Sequence, residues 1–491
     1  MLWVIVQLPT LGFSLRSINR AMKKQRTEEM CNGVSKQIGD QYAVPGLLVS
    51  DHTVTVPLDY SGVLKGTINV FYRIVTSRNK QSECSSMPFL LYLQGGPGSE
   101  SPRPTDCAGW IRGAVNYFRV VLMDQRGTGL SSAVTCENLV AEIDDAEDQG
   151  KYLMCFRADS IVRDAEVIRT CLTRQQANGQ EVRWSLLGQS FGGFCCTTYL
   201  SMYPEGLLEV MITGGIPPKI DLPCAADEVY RRLFRRVLTQ NAKFYSRFPM
   251  AEERARRIVL YLADQRNGHI VTPGQNILSP RSFQLLGLTT LGFAGGFERL
   301  HYMLEGAFDQ STSLGVPHLS QRFLKDFDSM SWDTNPLYAL LHESIYCQGA
   351  ASRWAAHRVR ESEFRDEFDA VGSAKAGRPV MFTGEMVFPW MFEELRELAK
   401  VRAVAYQIAI ESSWPVLYDR DRLESNTVPV AAVSYFEDMF VDFDLAQETS
   451  KHINGLRQYV TNEWLHDGIR ENGTALFEKL MNLCRNGVLL R

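Results

Sequence analysis

Nothing in this 491-residue sequence is long and apolar enough to span a bilayer, and no charge of one sign dominates it. The apolar start, Met1 to Phe13, is broken by Pro9, has no basic segment before it and is too short for a membrane span, so neither a signal peptide nor an anchor is expected there. The stretch from Arg16 to Arg26 is basic, with no acidic residue before Glu28, as in a mitochondrial presequence; residues 1–40 are read as a leader, disordered or targeting. Fifty-two Lys and Arg against 56 Asp and Glu give a net charge of −4, which carries no signature of nucleic-acid or membrane binding. There is no His-Glu-x-x-His, no phosphate loop, no dinucleotide fingerprint and no internal repeat, so no metal or cofactor is expected. Cys-x-x-Cys pairs and zinc spacings are also missing. The eleven cysteines are an odd number that cannot all pair within one chain, and reduced thiols in a cytoplasmic protein fit better than a disulfide frame. The sequon Asn472-Gly473-Thr474 is then expected to stay unused.

What the chain does contain is chemistry built on a serine. Gly188-Gln189-Ser190-Phe191-Gly192-Gly193 follows the apolar run Trp184 to Leu187 and opens a small-residue, helix-compatible run. A Gly-x-Ser-x-Gly sequence between strand and helix places the serine on a sharp turn, with glycines removing side chains that would clash there. In the chain order of the α/β-hydrolases, whose serine turn this sequence resembles, an acid and then a histidine follow downstream, each on a loop after a strand. Val428 to Phe436 reads as a strand and Asp438 stands two residues beyond it, with Asp442 and Asp444 as open alternatives. Gln458 to Thr461 reads as a second strand, and His466 lies on the loop before the last helix. Of the eight histidines, His52 precedes the serine, His269, His301, His318, His342 and His357 have no strand and acid loop before them, and His452 sits within a helical pattern, Leu445 to Ile453. A serine hydroxyl is a poor nucleophile at neutral pH, so His466 is the expected base and Asp438 the residue that orients it. The tetrahedral oxyanion calls for two backbone donors, each worth about 3–4 kcal/mol. One is the N–H of Phe191; the other is expected from Gly95-Gly96-Pro97-Gly98, which follows the strand-like run Pro88 to Gln94.

Together with Asp124-Gln125-Arg126-Gly127-Thr128-Gly129 and Ser131, and with Phe382-Thr383-Gly384-Glu385 and Thr461-Asn462-Glu463-Trp464, these motifs closely resemble the longer form of the proline iminopeptidases. The resemblance runs from about residue 45 to the C-terminus. It implies an α/β-hydrolase fold with a mostly parallel central sheet and an inserted helical cap. It also implies release of N-terminal proline from peptides, with Ser190, Asp438 and His466 as the triad and the backbone of Gly96 and Phe191 as the oxyanion hole. The charges of Asp124-Gln125-Arg126 are assigned to a structural turn.

The organisation read from the residues agrees with that fold. His52 to Leu58 and Gly66 to Val75 alternate like an antiparallel hairpin; buried strands and an amphipathic helix, Asp159 to about Gln176, precede the serine turn. The core is placed at residues 41–218 and 425–491, with the cap at 219–424, where charged, aromatic-rich helical stretches replace strands. An aminopeptidase must hold a free ammonium beside its nucleophile, which calls for a carboxylate, and proline asks for a small apolar pocket. Glu298, Glu343 and Glu385 sit among cap aromatics and are the candidates. Aligning His301-Tyr302 with the family's His-Tyr puts Arg299, not Glu298, at the family's glutamate, so the choice stays open. The same triad would also serve a tripeptidyl-type exopeptidase or a carboxylesterase, and a non-catalytic binding protein on this scaffold is the alternative of another class. The expected partners are peptides with N-terminal proline, with neither nucleic acid nor membrane.

Overall fold

A computed structural model describes residues 34–176, 179, 181–309, 318–329 and 335–486. The apolar start and the basic stretch from Arg16 to Arg26 lie outside these residues. Among the described residues eleven strands occur in chain order: β1 (Ser35–Val44), β2 (Leu47–Pro57), β3 (Thr67–Ser77), β4 (Phe89–Leu93), β5 (Arg119–Met123), β6 (Trp184–Gln189), β7 (Leu207–Thr213), β8 (Ile270–Val271), β9 (Ile277–Leu278), β10 (Val430–Tyr435) and β11 (Leu456–Thr461). Nine of them form one sheet in the order β1-β2-β3-β5-β4-β6-β7-β10-β11. β1 to β3 are antiparallel to one another and β3 to β5, while the strands from β5 to β11 run parallel.

Parallel strands covered on both faces have no polar side to show, which is why β4 (FLLYL) and β5 (RVVLM) are apolar almost without alternation. The period of two persists in where the side chains go. Leu91, Leu93, Val121, Met123 and Leu186 enter one core layer, against the helices Ala158–Arg174 and Phe191–Met202. Leu90, Tyr92, Val120, Leu122 and Leu187 enter the other, against the helices Gly109–Ala114 and Gly473–Arg485.

β1 departs from the expectation of a leader over residues 1–40, because its first residues already pair with β2, Ser35 opposite Val54 and Ile38 opposite Asp51. It is an edge strand whose residues are almost all exposed, and its ladder slips between Ile38 and Tyr42, so it has no apolar face for the sequence to reveal.

Between β7 and β10 the chain forms a succession of helices from Ala226–Arg247 to Arg420–Glu424, interrupted by the β8–β9 ribbon. The aromatic richness of this segment is its core. Phe234 packs on Phe364 and Phe368, and Phe244 on Phe297 and Phe382. Among the described residues no helix is long and apolar enough to cross a membrane.

Arg126 shows what the charged turn after β5 does. Its fully buried guanidinium makes two hydrogen bonds to Asp164, of 2.6 and 2.7 Å, and donates to the carbonyls of Pro57, Leu58 and Cys155. Tyr60 completes the cluster by donating to Asp164 at 2.7 Å. This ties the β2–β3 connection, the turn after β5 and the helix Ala158–Arg174 together behind the sheet. Removing Asp164 would leave a buried, uncompensated cation, so Asp164→Ala is expected to cost about 3–5 kcal/mol, read as a large drop in the thermal unfolding midpoint.

Candidate active site

β6 ends at Gln189, and Ser190 then takes φ 55° and ψ −125°, left-handed backbone that a non-glycine residue adopts only under strain. Two neighbouring contacts hold it there: Ser190 N–H donates to Thr213 O at 2.9 Å and Gly193 N–H to Ser190 O at 2.7 Å. The turn leaves no room beside it, since a Cβ on Gly192 would stand 1.9 Å from the Leu93 carbonyl oxygen. The helix Phe191–Met202 starts at once, so the N–H of Phe191 is one of those that an α-helix leaves without an intrahelical acceptor.

The other two residues arrive from the ends of the neighbouring parallel strands β10 and β11. His466 Nε2 is 2.9 Å from Ser190 Oγ, and His466 Nδ1 is 2.7 Å from Asp438 Oδ2. Asp438 is fixed by accepting the backbone N–H groups of Phe440 and Val441 on Oδ1 at 2.8 and 3.1 Å. Phe440 stacks on the imidazole with ring centroids 4.6 Å apart. All three polar side chains are buried. Burial alone would pull the His466 pKa down, but the charge and hydrogen bond of Asp438 outweigh it and hold the imidazole above its ordinary value. The rival acids are engaged elsewhere: Asp442 accepts from Leu445 N–H at 3.1 Å and pairs with Arg236, and Asp444 is an exposed partner of the same arginine.

Ser190 and His466 open into a cavity of about 100 Å³. Gly95 and Gly96 line its wall. A Cβ on Gly95 would stand 2.8 Å from Gln189 Oε1 and 3.0 Å from Ser190 Cβ, so only glycine lets this loop lie against the serine. Phe440 and, from the inserted helices, Phe293 supply the apolar lining, while Tyr338 and Glu385 supply polar groups.

Glu385 is the one member of the three candidate glutamates found in this lining. Its Oε1 accepts from the Tyr338 hydroxyl at 2.7 Å, and its Oε2 lies 3.7 Å from His342 Nε2. His342 is fully buried with neither ring nitrogen hydrogen-bonded, and burial depresses its pKa to about 3, so it offers no countercharge. Burial pushes the Glu385 carboxyl up to about 7, assisted by the charge of Asp438 and opposed by His466 and the Tyr338 hydrogen bond. The other two glutamates are not brought to the cavity. Glu343 accepts the backbone N–H groups of Ala355 and Ala356 at 3.0 and 2.9 Å, at the start of the helix Ala355–Glu363. Glu298 pairs with Arg247 near the surface. Tyr338, His342, Phe293 and Phe440 escaped the sequence reading. The available signal was the four-residue spacing of Tyr338, His342 and Tyr346, which stacks Tyr338 on His342 at 4.9 Å. Among the described residues no cluster of side chains is suited to a metal ion.

A family model of the alpha/beta hydrolase fold matches residues 88–264. A proline iminopeptidase of Aeromonas sobria is 44% identical over 447 residues, spanning 91% of this chain and 98% of that protein. A proline iminopeptidase of Aspergillus aculeatus is 34% identical over 438 residues, spanning 88% and 93%. A solved proline iminopeptidase structure from Mycobacterium smegmatis aligns over 86% of this chain and 97% of that one, at 15% identity and a TM-score of 0.38. With identity of this level sustained over nearly its whole length, the chain is a hydrolase of the α/β class and belongs to the proline iminopeptidase family.

Proposed function

We propose that this protein is a cytoplasmic serine exopeptidase that releases N-terminal proline from peptides through an acyl-enzyme on Ser190. The observation that carries the reading is the single cavity in which Ser190, hydrogen-bonded to the His466–Asp438 pair, meets one buried carboxylate, Glu385. Family membership supports the same substrate.

In the first half-reaction Ser190 Oγ attacks the prolyl carbonyl carbon while its proton passes to His466 Nε2. Asp438 keeps Nδ1 protonated and stabilises the imidazolium. The oxyanion is received by the backbone N–H groups of Phe191 and Gly96. The C–N bond then breaks as the imidazolium returns its proton to the leaving amine, which departs as the shortened peptide. Water, deprotonated by His466, attacks the prolyl ester in the second half-reaction, and proline leaves with Ser190 Oγ reprotonated.

Glu385 supplies the exopeptidase restriction. The substrate's α-ammonium must shed water on entering the cavity, and a carboxylate there offsets that cost. Phe293 and Phe440 offer apolar surface to the pyrrolidine ring, and the small volume favours proline over larger side chains.

The test is a comparison of proline, alanine and leucine arylamides with a simple aryl ester. Proline arylamide should be turned over fastest and leucine arylamide slowest. Equal turnover of leucine and proline arylamides would contradict the prolyl preference, and cleavage of the ester alone would favour a carboxylesterase.

A further inference from the structure

The cavity holds a second charge that the hydrolytic steps do not use. Arg470 lies four residues beyond His466, in the short helix Gly468–Glu471, and lines the same cavity as Ser190 and Glu385. Its environment differs from that of the other arginines near the sheet. Arg103 is paired with Asp124, Arg126 with Asp164 and Arg485 with Glu209. Arg157 is spent on backbone carbonyls. Among the described residues Arg470 has neither an ion pair nor a side-chain hydrogen bond, yet its charge reaches both His466 and Tyr92. A guanidinium presents a planar fork suited to a carboxylate.

The cavity thus carries an anion, Glu385, and an unpaired cation, Arg470, beside the serine. That is the charge pattern of a short zwitterionic peptide. In a free prolyl dipeptide the carboxylate lies one residue, about 3.5 Å of extended chain, beyond the scissile nitrogen, a reach suited to so small a cavity. In an amide, an arylamide or a longer peptide that negative charge is missing or displaced outward.

Building on the aminopeptidase reading above, we propose that Arg470 is a specificity-determining residue that receives the C-terminal carboxylate of prolyl dipeptides. The enzyme is accordingly tuned to the final fragments that longer-acting peptidases leave behind, with the carboxylate held by a charge-assisted, salt-sensitive contact.

The experiment measures kcat/KM for prolyl-glycine and for its uncharged counterpart prolyl-glycinamide in wild type, Arg470→Ala and Arg470→Lys. Wild type should favour the free acid by roughly two- to fivefold, as expected for a charge pair made by an exposed guanidinium. Arg470→Ala should bring the ratio to about one through KM, Arg470→Lys should keep part of it, and added salt should shrink it in wild type. A structural disturbance would slow both substrates together and leave the ratio intact. An Arg470→Ala ratio equal to that of wild type overturns this inference alone, whereas failure of wild type to cleave either peptide overturns the aminopeptidase reading and this inference with it.

Discussion

Replacing Ser190 by alanine should lower kcat for prolyl arylamide by about 10⁴–10⁶-fold, the range seen when the nucleophile of a coupled triad is removed. The fold should survive. Ser190 Oγ has His466 as its partner, and the backbone bonds that hold the turn, to Thr213 O and from Gly193 N, do not involve the side chain. Alanine tolerates the left-handed backbone at position 190 no worse than serine does. Circular dichroism and the unfolding midpoint should therefore match wild type while single-turnover assays show no acyl-enzyme. Retention of substantial turnover in a clean preparation would falsify the assignment of Ser190.

The second large effect is at Glu385. Glu385→Gln keeps the shape and a carbonyl acceptor for Tyr338, but it removes the charge offered to the substrate amine. Truncating one partner of a buried charge pair costs about 2–5 kcal/mol, so kcat/KM should fall by roughly 10²–10³-fold, mainly through KM. The pH dependence has a definite sign. With its carboxyl pushed up to about 7, Glu385 is increasingly protonated in the free enzyme below neutrality, and protons then compete with the ammonium. Wild-type kcat/KM should thus fall on the acid side near pH 7. His466, raised above its ordinary value, contributes to the same limb because its protonated form cannot act as base. Glu385→Gln should leave only the His466 component.

The same residue links activity to stability. A carboxyl whose pKa is higher in the folded than in the unfolded chain stabilises the fold at low pH, and that contribution is lost as pH rises from the unfolded value through about 7. Glu385→Gln should accordingly gain about 1–3 kcal/mol over wild type at pH 8 and much less at pH 5, measurable as the difference between unfolding midpoints at the two values. A site held unfavourably charged for its ligand predicts this trade of stability for binding.

How much of this was legible in the sequence depended on the distance over which each feature is decided. The Gly188 to Gly193 turn is a local matter: its backbone conformation and the 1.9 Å clearance at Gly192 demand those residue types in that order. β4 and β5 could be read because burial on both faces leaves a continuous apolar run. β1 could not, because an edge strand exposed on both faces has the composition of a loop. The glutamates of the inserted helices were illegible for a different reason. Glu343 caps a helix begun twelve residues later, and Glu298 meets an arginine 51 positions upstream, while Glu385 lines the cavity hydrogen-bonded to Tyr338, 47 residues away. Their neighbourhoods in sequence look alike, and tertiary packing alone separates them. Arg470 was equally hidden, since nothing in its flanking residues marks it as unpaired.

The measurement that bears most directly on the account is kcat/KM of the wild-type enzyme for prolyl arylamide against its N-acetylated form. Acetylation leaves the scissile bond and the pyrrolidine ring in place but removes the positive charge that Glu385 is assigned to hold. The account predicts hydrolysis of the free amine with the acetylated compound slower by at least about 10²-fold. Comparable rates for the two would contradict it, for the site would then be reading an acyl group and not an amino terminus.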